Sequence, residues 1–189
     1  MVLNMQPKLQ WTGLLLAVLL CCGGCQALLP QAQGLATTTW HAQEYQRQDQ
    51  LEVQWNKHSF SFLLYQQQQG QKLDMLALSL TGQQLFKLSF DGKKVQVEQR
   101  IEPIKLLPFE FVVRDILYAT YPNFAQLQSQ NVQVKTVQVK NVAQTQSIFI
   151  NQQHVLNILH QDAVIELDNL QVPYQIVISA LHDRLETTE

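Results

Sequence analysis

The side chains that could do chemistry in this chain are few and scattered. Glu166 and Asp168 stand two apart in a strand-like run, so both carboxylates project from one face. Such a pair could serve acid/base catalysis, although alternation with Val164, Ile165 and Leu167 fits a solvated outer face just as well. His154 and His160 are six apart on a strand pattern. They are expected on one face but ~20 Å apart along extended backbone, too far to share a metal. His41, His58 and His182 are scattered elsewhere. Asp74 interrupts an apolar run, where a lone buried carboxylate is costly, so it is expected near a strand start and wet. GxSxG, HExxH, P-loop and GxGxxG motifs are absent. With no nucleophile–base pair in view, the chain is expected not to be an enzyme and to hold no metal or other cofactor.

Cysteine supplies the one covalent chemistry. Cys21, Cys22 and Cys25 are the chain's only cysteines. Lys8 and the free amine give a weakly positive start, and Trp11 to Leu20 (WTGLLLAVLL) is an apolar run. Gly23 and Gly24 then place two small residues before Cys25, the pattern of a secretory signal over residues 1–24. The run is shorter than the roughly 20 apolar residues that a membrane-spanning helix needs. The stretch resembles a lipobox, in which the thiol is diacylated and cleavage leaves the cysteine first. It departs from the usual pattern at Cys22, where Leu is normal, and bulky Leu20 or Cys21 makes the two earlier cysteines poorer sites. The expected product is an N-terminal diacylglycerol and acyl chain on Cys25. A plain secretory signal cut near Gly24 or Ala27, or an uncleaved anchor, stays open. Gln26 follows in place of Asp. By the sorting rule of gammaproteobacterial lipoproteins this points to the inner leaflet of the outer membrane, on its periplasmic face, reached through the lipoprotein sorting machinery.

Beyond Cys25 there is no thiol, which excludes disulfides, zinc ribbons and cysteine nucleophiles there. Residues 25–189 suffice for one domain with a sizeable core. Without Lys8, 12 basic side chains face 15 acidic ones, with no Lys/Arg cluster. Nucleic acid and anionic headgroups are therefore not expected partners, and a monomer is expected. Gln66 to Gln69 reads as a hairpin loop with its flanks.

The elements follow from periodicity. Residues 25–47 lack a sustained period and are broken by Pro30 and Gly34. They read as a lipidated tether, with Trp40 and Tyr45 able to pack on the fold. The domain is expected over 48–181 and a polar tail over 182–189. Leu51, Val53 and Trp55 alternate with polar residues, as do Phe60, Phe62 and Leu64, then Phe86, Leu88 and Phe90. Lys72 to Leu80 is apolar on both faces (Met75 against Leu76 and Leu78), which predicts a strand covered on both sides. Asp91-Gly92 marks a hairpin into Val95 and Val97. After a loop bracketed by Pro103 and Pro108, Phe109 to Thr120 becomes helical. Val112, Val113, Ile116, Leu117 and Thr120 share its face, and Glu110, Arg114 and Asp115 point elsewhere. Pro122 stops it, and Asn123 could cap a short second helix over 124–129. Five more strands follow, near 132–136, 147–151, 154–159, 163–168 and 174–180. The fold class expected is mainly β: one strongly curved antiparallel sheet, a half-open β-barrel, with a helical lid on its concave face.

The segment GQQLFKLSFDGKKVQVEQ (Gly82 to Gln99), the Pro-rich loop and FVVRDILYATYP (Phe111 to Pro122) resemble a family of small bacterial outer-membrane lipoproteins. That family is often encoded beside aryl-polyene biosynthesis genes and is similar to the LolA/LolB lipoprotein carriers. Gly82, Leu85, Phe86, Leu88, Phe90, Asp91, Gly92, Asp115, Tyr121 and Pro122 match its pattern; Tyr121 stands where Trp is usual. The resemblance implies a LolB-like half-barrel with an apolar cavity for an acyl chain or polyene-type lipid, carried or transferred within the envelope, with Phe109 to Thr120 as lid. The candidate lining residues are Trp55, Phe60, Phe62, Leu64, Met75, Phe86, Leu88, Phe90, Val112, Val113, Ile116 and Leu117. The aromatics among them could equally be plain core. The carriers' apolar residue on a protruding loop has no match; Leu106 and Leu107 are the nearest candidates. The alternative function is a non-enzymatic outer-membrane scaffold that docks a protein and carries no lipid.

Overall fold

The structure, a computed structural model, describes residues 32–128, 131–139 and 143–181. The signal segment, Cys25, the start of the tether and the tail over 182–189 lie outside the described residues. Among the described residues ten strands form: β1 (Tyr45–Trp55), β2 (His58–Gln69), β3 (Lys72–Ser79), β4 (Gln84–Phe90), β5 (Val95–Arg100), β6 (Val132–Val139), β7 (Ala143–Ile150), β8 (Gln153–Gln161), β9 (Val164–Asn169) and β10 (Tyr174–Ala180). They make one open antiparallel sheet in the order β5-β4-β3-β2-β1-β10-β9-β8-β7-β6. Two five-stranded meanders are thus joined where the first and last strands pair, with Leu51 opposite Ile178 and Val53 opposite Ile176.

Period-two alternation decides what faces inward. Leu51, Val53, Phe62, Leu64, Leu73, Met75, Phe86, Leu88, Ile158, Leu167 and Ile176 are all buried on the concave side. The outer face of β3 is only half-covered: Leu76 and Leu78 are half-buried, and Asp74 pairs with Lys72 at 2.9 Å. The expectation that both faces of this strand are covered is corrected, because nothing described packs over the convex side of the sheet. The glutamine run is corrected too. It belongs to β2, whose pairing with β1 and β3 continues through Gln69, and Gln66 and Gln68 face inward and are buried.

The helix α1 (Phe109–Thr120) lies against the concave face. Pro108 precedes it, and Tyr121 leaves it in extended backbone before Pro122. Its apolar stripe was legible, but Arg114 and Asp115 do not point to solvent: both are 0 % exposed. The helix is sandwiched, with the sheet on one side and residues from 32–37 and the β9–β10 loop on the other. A 3-10 turn (Glu102–Ile104) precedes it and another (Phe124–Leu127) follows. Asn123 adopts the left-handed conformation (φ 55°) and makes no side-chain cap, so the expected short α-helix is replaced by that turn.

The domain begins before residue 48. The Thr37 N–H and its hydroxyl both donate to the Gly92 carbonyl at 2.7 Å, and the Trp40 indole donates to the Gln71 carbonyl at 2.9 Å. Trp40 stacks on Tyr121 and meets Phe90 edge-on, both with centroids 5.1 Å apart. Gly92 (φ 88°) is required here, since a Cβ would lie 2.3 Å from the Trp40 ring.

Candidate functional site

All twelve expected lining residues belong to one cluster on the concave side. Trp55 and Phe60 are half-buried and the other ten are buried. They largely fill one another's space. Phe62 meets Phe86 edge-on at 5.6 Å, Phe86 meets Phe109 at 5.1 Å, and Phe90 meets Phe124 at 6.4 Å. The helix therefore acts as a plug over most of the sheet, and Leu64, Met75, Leu88, Phe90, Val112, Val113, Ile116 and Leu117 are core.

What remains open is a cleft of about 90 Å³ at one end of the sheet. Val53, Phe60, Phe62, Leu85, Phe86, Ile101, Pro103, Ile104 and Leu107 line it, all apolar. Only Phe60, Phe62 and Phe86 were among the expected lining residues. The loop residues were missed, though Pro103 and Pro108 bracketing an apolar stretch marked the place. Where the loop begins, the Ile101 N–H donates to the Leu85 carbonyl of β4 at 2.9 Å; the loop itself is held by turns, with Leu107 N–H donating to the Ile104 carbonyl at 3.0 Å. Leu106, beside it, is 75 % exposed. Leu80 in the β3–β4 turn and Leu170 in the β9–β10 loop, 61 % and 47 % exposed, belong to the same end of the sheet. A wider hollow of about 370 Å³ is lined by polar residues alone, Gln69, Gln71, Lys72, Ser89, Asp91 and Gln96.

The helix is fixed by a buried polar network. Asp115 accepts from Arg114 Nε at 2.8 Å and from Asn169 Nδ2 and the Tyr174 hydroxyl at 2.5 Å each. Arg114 Nη1 donates to the Gln33 carbonyl at 3.0 Å and to Gln171 Oε1 at 2.8 Å, and the guanidinium lies 5.0 Å over the Phe111 ring. Burial raises the Asp115 carboxyl, opposed by the Arg114 charge, and pushes the Tyr174 hydroxyl well up. At the helix's other end Tyr121 donates to Gln68 Oε1 at 2.5 Å and accepts from Gln43. Tyr45 lies within 3.4 Å of the Thr120 hydroxyl, and its own pKa is pushed up to about 12 by burial.

The other candidates separate. Glu166 and Asp168 stand on the convex face opposite Val177 and Gln175; Asp168 borders a largely polar hollow of about 260 Å³ with Gln54, Asn56 and Gln175, and neither carboxylate lines the apolar cleft. His154 and His160 do not share a face. A bulge where β7 meets β8 turns His154 outward, stacked on Phe149 at 4.6 Å, and leaves His160 inward. Among the described residues no three His, Cys, Asp or Glu side chains converge as metal ligands.

The geometry is that of an open antiparallel half-barrel plugged by one helix, with a small apolar mouth. The chain belongs to the family of proteins of unknown function designated DUF3261, which matches residues 46–182. No curated protein matches the chain.

Proposed function

We propose that this protein is a lipid-anchored carrier on the periplasmic face of the outer membrane, which takes an acyl chain or polyene-type lipid into the apolar side of its sheet and passes it on within the envelope. The observation that carries this reading is the all-apolar cleft, at the end of the sheet whose loops also expose Leu80 and Leu170, with Leu106 exposed on the lining loop itself. Apolar loop tips beside an apolar mouth suit contact with a membrane surface. The resemblance to LolA/LolB carriers points the same way. At about 90 Å³ the cleft is well below the roughly 300–1,000 Å³ of a ligand pocket, so a chain must displace the Pro103–Leu107 loop as it enters. Each methylene buried then stabilises the complex by roughly 0.8 kcal/mol, and no catalytic group is needed. A second reading, protein docking at the exposed Leu106, rests on the same loop.

A diazirine-bearing fatty acid, photolysed with the full chain in lipid nanodiscs, tests this. Crosslinks on Phe60, Phe62 or Phe86, cut at least tenfold by Ile104→Trp, are expected. Those side chains are shielded from the bilayer, so crosslinks confined to Leu80, Leu106 and Leu170 would discard the carrier reading in favour of docking.

A further inference from the structure

The inward face changes character along β1 and β2. Toward the cleft it is apolar; at the opposite end it carries Arg47, Asp49 and Gln66. Arg47 lies directly opposite Gln66, and Asp49 is two residues on, on the same face. Asp49 and Gln66 are 0 % and 1 % exposed. Arg47 Nε donates to Asp49 Oδ2 at 2.7 Å, and the Arg47 side chain is 28 % exposed, so the cluster communicates with solvent. Three buried polar atoms here have no partner: Asp49 Oδ1, Gln66 Oε1 and Gln66 Nε2. Gln68, one inward position further along, shows the contrast. Its Nε2 donates to the carbonyls of His41 and Gly70 at 3.1 and 2.9 Å, and its Oε1 accepts from Tyr121. A glutamine kept only for packing at 66 does nothing that methionine would not do without the orphaned amide.

The orphaned groups define what would satisfy them. Two are acceptors and one is a donor, and diagonal neighbours across paired strands are ~7–8 Å apart at Cα, within reach of one small group. An anion would face the spare carboxylate oxygen of Asp49, with the Arg47 charge already balanced by that carboxylate at 2.7 Å. A cation would face the Arg47 guanidinium. A hydroxyl gives one donor and two acceptor positions, and adjacent hydroxyls serve both acceptors while receiving the amide. We propose that Arg47, Asp49 and Gln66 form a binding site for an uncharged, hydroxyl-rich group, a polyol or sugar. The site is separate from the apolar cleft and does not depend on the carrier reading. His160 flanks it, its pKa lowered by burial and then by the Arg47 charge.

Such a group could be the glycerol of a lipid or a free sugar. Saturation-transfer NMR on the full chain in nanodiscs would use 1-monobutyrylglycerol and glucose as probes, with butyrate and methyl butyrate as matched controls. Saturable transfer to a hydroxyl-bearing probe is expected, weakened at least tenfold in Gln66→Met and in Asp49→Asn. Gln66→Met keeps the volume and is expected to melt higher than the parent, so loss of binding there is not loss of fold. Transfer to monobutyrylglycerol alone assigns a lipid headgroup; transfer to glucose, alone or as well, assigns a free sugar. No saturable transfer, equal transfer to methyl butyrate, or unchanged transfer in Gln66→Met overturns the site.

Discussion

Arg114→Met is the most exacting perturbation of the plug. Arg114 and Asp115 are wholly buried. The substitution removes the 2.8 Å ion pair to Asp115 and the bonds to the Gln33 carbonyl and Gln171, at 3.0 and 2.8 Å. It leaves a carboxylate with two neutral donors, Asn169 and Tyr174. Breaking a buried pair costs about 3–5 kcal/mol, and the two surviving bonds put the expected loss near the lower end, ~3 kcal/mol. Against a total of about 5–15 kcal/mol that is a large share. Removing the second charge as well, in Arg114→Met/Asp115→Asn, leaves an amide that still accepts from Tyr174 and should recover about half of the loss.

The pH dependence gives a second readout. Burial raises the Asp115 carboxyl, and in the parent the Arg114 charge is the largest opposing influence. Without Arg114 the native state prefers the protonated acid more strongly. A raised native pKa contributes stability that is complete below the unfolded value near 4 and lost as pH rises through the native one. Arg114→Met should therefore lose more stability between pH 5 and pH 8 than the parent does. Urea titration of the full chain in dodecylmaltoside, followed by tryptophan fluorescence and far-UV circular dichroism, reads both quantities. A loss below about 1 kcal/mol with an unchanged pH slope would refute the anchoring role.

Two further outcomes are expected. Gly92→Ala must adopt φ 88° with a Cβ 2.3 Å from Trp40, and should cost about 1–3 kcal/mol from backbone strain alone, with a red shift in tryptophan emission; an unshifted spectrum and unchanged Tm would contradict it. The His160 pKa is lowered by burial, then by Arg47, so its contribution is present above the ordinary value of 6.5 and lost as pH falls through the lowered one; His160→Gln should flatten the fall in Tm from pH 7.5 to 5, and a parallel fall in both proteins would count against it.

Local periodicity was enough to reveal the ten strands and the helix, because each buries one face and its residues repeat accordingly. What it missed is non-local. Arg114 and Asp115 look like solvent-facing residues of an amphipathic helix, and their partners Gln171, Asn169 and Tyr174 lie 54 to 59 residues away. Nothing near residue 115 announces that Tyr174 will approach its carboxylate. The glutamines at 66 and 68 were hidden differently. A polar run after Tyr65 has the composition of a loop, and only the continued pairing with β1 and β3 keeps it in the sheet. The bulge beside His154 is likewise a pairing event, and it reversed the face of one histidine. The candidate lining residues all join one cluster, but the way Phe62, Phe86 and Phe109 close on each other depends on side-chain fit that a periodic pattern does not carry.

This packing also bears on which element would yield to a ligand. The helix was the natural lid from its position, yet it is the better anchored part. It is bonded through Asp115 and Arg114 to the β9–β10 region and the Gln33 backbone, and Phe109, Val112, Val113, Ile116 and Leu117 are all buried. The Pro103–Leu107 loop buries only Ile104 and Leu107 and exposes Pro103, Lys105 and Leu106, and its backbone is held by turn hydrogen bonds of 3.0–3.3 Å to Ile101, Glu102 and Ile104. Elements with few buried contacts and local hydrogen bonds open at lower free energy than packed helices. On the carrier reading, entry would then go through the loop, with the helix staying as the wall. That makes Ile104 the place to block a chain. It also separates two effects that a moving helix would merge: Arg114→Met should lower stability while leaving crosslinking at Phe62 and Phe86 in the folded protein unchanged, and a matching loss of both would return the role of lid to the helix.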